Sequence, residues 1–353
     1  MNDRTIDVLV ADDSKVTRMF LVHLLESDPQ IRVVGAVGDG QAAVDFVRGN
    51  APDVVLMDMH MPVLDGFEAT RRIMQTRPVP IVICSASANT ADVAFTFQAM
   101  EAGAIACVEK PLGSEHRDFE ALAAQLLETV KLMSEVKVVR RLARPRPSPR
   151  PADVPRSNVE IKLVGIGGST GGPPVLQTIL AALPKDFPAP VLVVQHIAHG
   201  FLAGMAEWLD QTTGLRIHIA SHGTRPLPAH VYLAPDDCHM GVDATGAIVL
   251  TREEPEQGLR PAVSFLFRSL AQTHGPNALG VLLTGMGRDG AAELKLMKDR
   301  GAITIAQDRD SSVVHGMPGA AIALGGASHV VAADGIAAAL VALVNGRNTT
   351  RKS

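Results

Sequence analysis

The sequence predicts an α/β chain made of two doubly wound parallel sheets joined by a proline- and arginine-rich linker. Three observations carry this. Short apolar runs of strand type alternate with segments of helical period from Ile6 to about Leu142. The same alternation restarts at Glu160 and runs to Asn345. Between them, Arg140-Arg141-Leu142-Ala143-Arg144-Pro145-Arg146-Pro147-Ser148-Pro149-Arg150-Pro151 has neither period. Its prolines remove backbone donors and favour extended geometry, so it reads as a solvated, semi-stiff spacer. The expected division is residues 1–139, a linker over 140–158, and 159–347.

Composition bounds the possibilities. A chain of 353 residues has room for two or three domains. A net charge of −4 gives no bulk basicity for holding nucleic acid. Cys84, Cys107 and Cys238 are widely and irregularly spaced, which excludes a zinc ribbon and fits a reducing compartment. The first residues, Met1 to Asp7, mix acid and base around no apolar core, so no signal peptide is expected. No apolar run is long enough to span a bilayer. A soluble cytoplasmic protein without membrane insertion is expected.

In the first module, strands are expected at Ile6 to Ala11, Ile31 to Ala36, Asp53 to Met57, Pro80 to Cys84 and Ile105 to Glu109. Helical spacing covers Lys15 to Glu26, Gly40 to Arg48, Asp65 to Thr76, Ala91 to Ala102 and a long terminal stretch, Phe119 to Leu142. Polar residues follow the strands: Asp12 and Asp13, Asp58, Ser85, Lys110. Ligands of such sheets bind beyond the carboxyl ends of the strands. Carboxylates meeting at one edge disfavour one another's charge without a cation, and all-oxygen ligands with room for water suit Mg²⁺. One carboxylate could accept a phosphoryl group. Taken singly, each residue also reads as a solvated loop or a helix cap, with Asp13 or Ser14 the cap candidates.

Val8 to about Val130 resembles a response-regulator receiver domain, which is flavodoxin-like in fold. The pieces that carry the resemblance are Asp12-Asp13, Met57-Asp58-Met59-His60-Met61-Pro62, Leu64-Asp65-Gly66, Ser85-Ala86, Gly103-Ala104 and Lys110-Pro111. It implies that Asp58 is the phosphoacceptor and that Asp12, Asp13 and Asp58 hold Mg²⁺. It implies that Ser85 and Lys110 read the phosphate, with a histidine kinase as phosphodonor. It also implies a cis bond at Lys110-Pro111. Cys107 stands where receivers usually carry an aromatic switch. The signal is therefore expected to leave near Ser85 and the following helix.

In the second module, strands are expected at Ile161 to Ile166, Val191 to Val194, Arg216 to Ala220, His230 to Ala234, Ile248 to Thr251, Ala278 to Leu283, Ala302 to Ala306 and His329 to Val331. The strand from His230 and that from Ile248 are expected to form a hairpin-like insertion. Helices are expected at Pro174 to Ala182, Phe201 to Thr212, Pro261 to His274, Ala291 to Arg300, Gly319 to Leu324 and Gly335 to Asn345.

The stretch Gly167-Gly168-Ser169-Thr170-Gly171 fits the G-x-S-x-G nucleophile pattern at a strand-to-helix turn. Its glycines are expected to let a substrate backbone approach, and the helix start behind it offers unpaired N–H groups to an oxyanion. A phosphate cradle or an ordinary βα turn would read the same way. Ser169, His196 and Asp289 each fall near a strand end. A serine hydroxyl needs a neighbouring imidazole to take its proton, and the imidazole needs an acceptor to fix its tautomer. The chain order Ser, His, Asp differs from that of α/β-hydrolases. His199, His239 and His315 compete as the base, and Asp289 could instead cap the helix that follows.

Glu160 to about Asn345 is similar to the catalytic domain of the chemotaxis receptor methylesterase family. The carrying motifs are Gly165 to Pro173, Val194-Gln195-His196-Ile197, Val231 to Pro235 with His239-Met240, Leu283 to Gly290, and Ala306-Gln307-Asp308 with Gly316-Met317-Pro318. The resemblance implies Ser169 as nucleophile, His196 as base and Asp289 as orienting acid, with Thr170 and Met286 N–H as oxyanion donors. It implies hydrolysis of glutamate γ-methyl esters on the cytoplasmic helices of methylated chemoreceptors, and deamidation of specific receptor glutamines. No cofactor is expected for the ester chemistry. The tethered receiver is expected to mask the catalytic groove until Asp58 is phosphorylated. A scaffold that only binds a receptor and a dinucleotide-binding enzyme are the rival readings. Gln195-His196 at the end of the next strand, where an acid should stand, argues against the second.

Overall fold

The computed structural model describes residues 4–85, 90–111, 119–136, 138 and 159–344. The chain divides into two compact units, Met1–Pro145 and Arg146–Ser353. The expected linker, 140–158, lies outside the described residues.

In the first unit the strands are β1 (Ile6–Ala11), β2 (Ile31–Val37), β3 (Val54–Met57), β4 (Ile81–Ser85) and β5 (Ala106–Glu109). The helices are α1 (Lys15–Glu26), α2 (Gly40–Gly49), α3 (Gly66–Thr76), α4 (Thr90–Ala102) and α5 (Phe119–Ser134). The sheet order is β2-β1-β3-β4-β5, and every pairing is parallel. β3 and β4 are buried along their whole length, as their unbroken apolar sequences require when helices cover both faces. Three helices start on side-chain caps. Ser14 accepts from Thr17 N, Asp39 from Ala42 N and Asp65 from Glu68 N, each worth about 1 kcal/mol. The terminal helix stops at Ser134 rather than running on to Leu142. Lys110–Pro111 is trans, not cis; the trans form is the preferred one by about 0.5–1 kcal/mol, and Lys110 reaches its partners from it.

In the second unit a seven-stranded sheet has the order β14-β13-β12-β6-β7-β9-β8, again with parallel pairings. Its strands are β6 (Leu163–Gly168), β7 (Val191–Gln195), β8 (Arg216–Ile219), β9 (His230–Leu233), β12 (Ala278–Leu282), β13 (Ile303–Gln307) and β14 (His329–Val331). Around it lie α6 (Gly172–Ala182), α7 (Leu202–Thr213), α8 (Val263–Thr273), α9 (Ala291–Asp299), α10 (Met317–Ala323) and α11 (Ile336–Val344). A separate antiparallel pair joins β10 (His239–Val242) to β11 (Ile248–Thr251). The hairpin expected between His230 and Ile248 is therefore corrected. His230–Leu233 enters the main sheet, and the partner of Ile248–Thr251 is His239–Val242. That strand was illegible because Gly241 breaks its apolar run; a Cβ there would stand 2.9 Å from Ser269 Oγ on α8.

β6 also runs two residues further than its aliphatic run suggests. Its glycines stay in the strand because α8 lies on them. A Cβ at Gly165 would meet Leu270 Cδ1 at 2.5 Å, and one at Gly167 would meet Val263 Cγ1 at 2.3 Å. The core gathers around this contact, with Val263, Leu266, Phe267 and Leu270 of α8 against Leu282, Leu294 and Met317. Among the described residues no helix is long and apolar enough to cross a membrane.

Candidate active site

β6 is the centre of the second sheet. The chain steps from it to β7 on one side, while β12 returns on the other. That reversal is the topological switch point, where open α/β sheets bind ligands. Ser169 follows β6, His196 follows β7, and Asp289 stands in the loop after β12. Gly168 and Gln195 are register partners, and His196 N donates to Gly168 O at 2.9 Å. Ser169 and His196 are thus neighbours across adjacent strands.

His196 Nε2 lies 2.9 Å from Asp289 Oδ2, although its N–H is not aligned as a hydrogen bond. Asp289 does not cap its own helix. The N-cap of α9 is Gly290, and the carboxylate turns instead to the start of α8. Val263 N donates to Oδ2 at 2.6 Å and Ser264 N to Oδ1 at 2.9 Å. Ser264 Oγ in turn accepts from Gly290 N at 2.9 Å. Burial raises the pKa of Asp289, but His196 and the Ser264 bonds outweigh it, leaving the carboxyl below the ordinary range. A helix N-terminus favours such a negative charge.

The competing histidines separate. His239 is buried, with Nε2 against Glu254 O and Nδ1 accepting from Ala262 N, and it stacks on Phe265. His199 is mostly exposed and lies 3.7 Å from Asp237. His315 approaches Ser312 Oγ at 3.4 Å. His196 is the one paired with Asp289.

Ser169 is held through its backbone. Its N–H donates to Thr284 O at 3.0 Å, and its carbonyl accepts from Gly172 N at 2.8 Å. No hydrogen bond joins Ser169 Oγ to His196 among the described residues. With its own N–H committed, Ser169 has no amide left for an oxyanion. The N–H groups of Thr170 and Met286 have no partner among the described residues.

The glycines of this turn serve a different end from substrate approach. A Cβ at Gly168 or Gly172 would stand 2.8 or 2.2 Å from Gln195 Oε1, and one at Gly171 would stand 2.6 Å from Val313. Gln195 and Gln307, each the last residue of its strand, are buried polar groups whose motifs the sequence shows but whose role it does not. Gln307 Oε1 accepts from Thr284 N at 2.8 Å, and Thr284 Oγ1 donates to Thr170 O at 3.0 Å. A glutamine closing an apolar strand was the available signal. Ser264 carried none, because its partner lies 25 residues away. Beside His196 a cleft is lined by Ile197, Asp236, Leu259 and Arg260.

In the first unit, Asp12 and Asp58 follow the adjacent strands β1 and β3. Asp12, Asp13 and Asp58 offer carboxylate oxygens within 4.8 Å of one another. Lys110 Nζ lies 2.8 Å from both Asp12 Oδ2 and Asp58 Oδ1. Burial opposes its charge, but the two carboxylates outweigh burial and raise its pKa. Burial raises Asp58 above the ordinary carboxylate range against the pull of Lys110. Asp12 Oδ2 is buried without an aligned hydrogen bond. An all-oxygen set with one exposed member suits a hard divalent cation that keeps water. Ser85 is buried at the end of β4; 86–89, on the route expected for the signal, lie outside the described residues. Cys107 stands on β5 opposite Ile83.

Two parallel α/β units, one ending in an acidic edge with a buried lysine and one in a serine, a histidine and an aspartate at a switch point, define a receiver coupled to a hydrolase-type domain. Comparison with known proteins agrees. Residues 164–340 match the family model of CheB methylesterase, and 8–119 match that of the response regulator receiver domain. The chain belongs to the CheB methylesterase family. It is 52% identical over 351 residues to a protein-glutamate methylesterase/protein-glutamine glutaminase of Nitrosospira multiformis, covering 98% of this chain and 99% of that one. A Geobacter metallireducens protein of the same description is 51% identical, covering 96% and 99%. The crystal structure of the Thermotoga maritima CheB methylesterase catalytic domain is 40% identical with a TM-score of 0.50. It covers 52% of this chain and 98% of that one.

Proposed function

We propose that this protein hydrolyses glutamate γ-methyl esters on the cytoplasmic helices of chemoreceptors, deamidates receptor glutamines at the same site, and is controlled by phosphorylation of Asp58. The observation that carries the chemistry is the pairing of His196 with a buried, ionised Asp289 next to Ser169. In this reading 1–139 is the receiver, 140–158 the linker and 159–347 the catalytic domain, working in the cytoplasm.

Ser169 Oγ attacks the γ-carbonyl while His196 takes its proton. Asp289 occupies the Nε2 side, so Nδ1 is the nitrogen that receives it. The oxyanion is met by the N–H groups of Thr170 and Met286. The imidazolium returns the proton to the leaving group, and methanol departs from an ester or ammonia from an amide. Water, deprotonated by His196, then displaces Ser169 and leaves the glutamate carboxylate. Electrostatic donors of this kind are each worth about 3 kcal/mol of barrier.

At the other site Asp12, Asp13 and Asp58 would hold Mg²⁺, which neutralises phosphate charge when bound. Asp58 accepts the phosphoryl group from a histidine kinase, and Ser85 and Lys110 bind its oxygens. The donor set and the spacing of the carboxylates support this.

The test is methanol release from methylated receptor helices, with mass spectrometry of the same peptides. Ser169→Ala should abolish both mass changes while its melting curve is kept. Turnover near wild type in that variant would rule Ser169 out, and a silent wild type would favour a binding scaffold.

A further inference from the structure

We infer that Gln195 is a positioning residue: its side-chain amide ties the nucleophile's own carbonyl to the carbonyl of the base, and so fixes the Ser169 backbone against that of His196. The inference rests on the reading of Ser169 as nucleophile and deepens it.

Gln195 Nε2 donates to Ser169 O at 2.8 Å and to His196 O at 2.9 Å. A primary amide has two N–H donors, and both are spent on these two carbonyls. The opposite orientation would set Oε1 against two carbonyl oxygens at the same distances, so the amide faces only one way. The side chain is nine-tenths buried, where such bonds are stronger and a missing partner costs more. Oε1 fills the space over the α-carbons of Gly168 and Gly172. The turn around the nucleophile lacks side chains there because this amide occupies their place.

The consequence is mechanical. Ser169 and His196 belong to different strands, and backbone pairing between β6 and β7 ends with His196 N on Gly168 O. Beyond that bond, among the described residues, the Gln195 amide joins the two segments, and it holds neither reacting side chain. Loss of the clamp should therefore appear in the reactivity of the serine and not in substrate affinity. A misplacement of about 1 Å remote from the reacting atoms can cost about a hundredfold in rate.

The experiment uses the full-length protein and a fluorophosphonate, which labels an activated serine without any receptor substrate. Gln195→Met keeps the volume and removes both donors. Labelling of Ser169 and kcat for methanol release should each fall by roughly 10- to 100-fold, with KM within about twofold. Gln195→Glu turns donors into acceptors; its labelling should be slower still at neutral pH, and its deficit relative to wild type at the same pH should narrow as the pH falls and the carboxyl regains a proton. Folding of each variant is read from its thermal melt. Should Gln195→Met not fold, Gly172→Ala tests the same point, because its Cβ would displace the amide without removing it. Labelling of a folded Gln195→Met at the wild-type rate, or a loss confined to KM, overturns the inference. A wild-type protein that is not labelled at Ser169 even with acetyl phosphate and Mg²⁺ present instead overturns the assignment of the nucleophile.

Discussion

His196 presents Nε2, not Nδ1, to Asp289, at 2.9 Å from Oδ2. In the proposed mechanism this contact favours the proton on Nε2 and leaves Nδ1 to accept from Ser169. Asp289→Asn should remove that control and also set an amide N–H against Val263 N or Ser264 N. We expect kcat for methanol release to fall by about ten-thousandfold, with KM little changed. Stopped assays on a methylated peptide measure both.

The same carboxylate should show in stability. Its folded pKa lies below the ordinary value. Its contribution is then complete above the unfolded pKa of about 3.9 and disappears as the pH falls through the lower, folded value. Urea melts of wild type and Asp289→Asn should differ at neutral pH, and the gap should narrow as the pH falls below the ordinary carboxylate value. A gap that stays unchanged through acidic pH would mean the carboxyl is not held in its charged form.

Asp58 behaves in the opposite sense. Burial raises its folded pKa, so its ionisation works against folding. The stabilising, protonated form is lost as the pH rises through the folded value. Asp58→Asn should remove the loss of stability that metal-free wild type shows as the pH rises from about 4 through the folded value. The same variant should take up no phosphoryl group from acetyl phosphate, measured by intact mass.

The cysteines should react in a fixed order. Cys84 is buried and its thiol is pushed up to about 12 by burial. Cys107 is raised well above its ordinary value for the same reason. A thiolate is the reactive form. Iodoacetamide should therefore modify Cys238 first in the native protein, and Cys238→Ser should leave native protein essentially unlabelled until denaturant is added. Peptide mapping decides it.

Much of this was legible before coordinates. Ser169, His196, Asp12, Asp58 and Lys110 stand just beyond strand ends, and parallel α/β sheets gather such residues at one edge; Asp289 lies further out, in the loop seven residues past β12. What could not be read was long-range. Nothing near Asp289 announces that α8 would receive it, and the cap reading was the local one. The strand at His239–Val242 hid behind Gly241. The glycines around Ser169 were read as space for a substrate, but Gln195 and Val313 fill it. The trans bond at Lys110–Pro111 departs from what the family resemblance implied.

Because the alcohol, the imidazole and the carboxylate follow three different strands, the chain must be translated past Asp289 before they can meet. A nascent polypeptide that stops short of β12 carries the first two groups and lacks the third, together with the central neighbour that receives Ser169 N. Such fragments should be chemically inert, so interrupted synthesis releases no stray esterase into the cell.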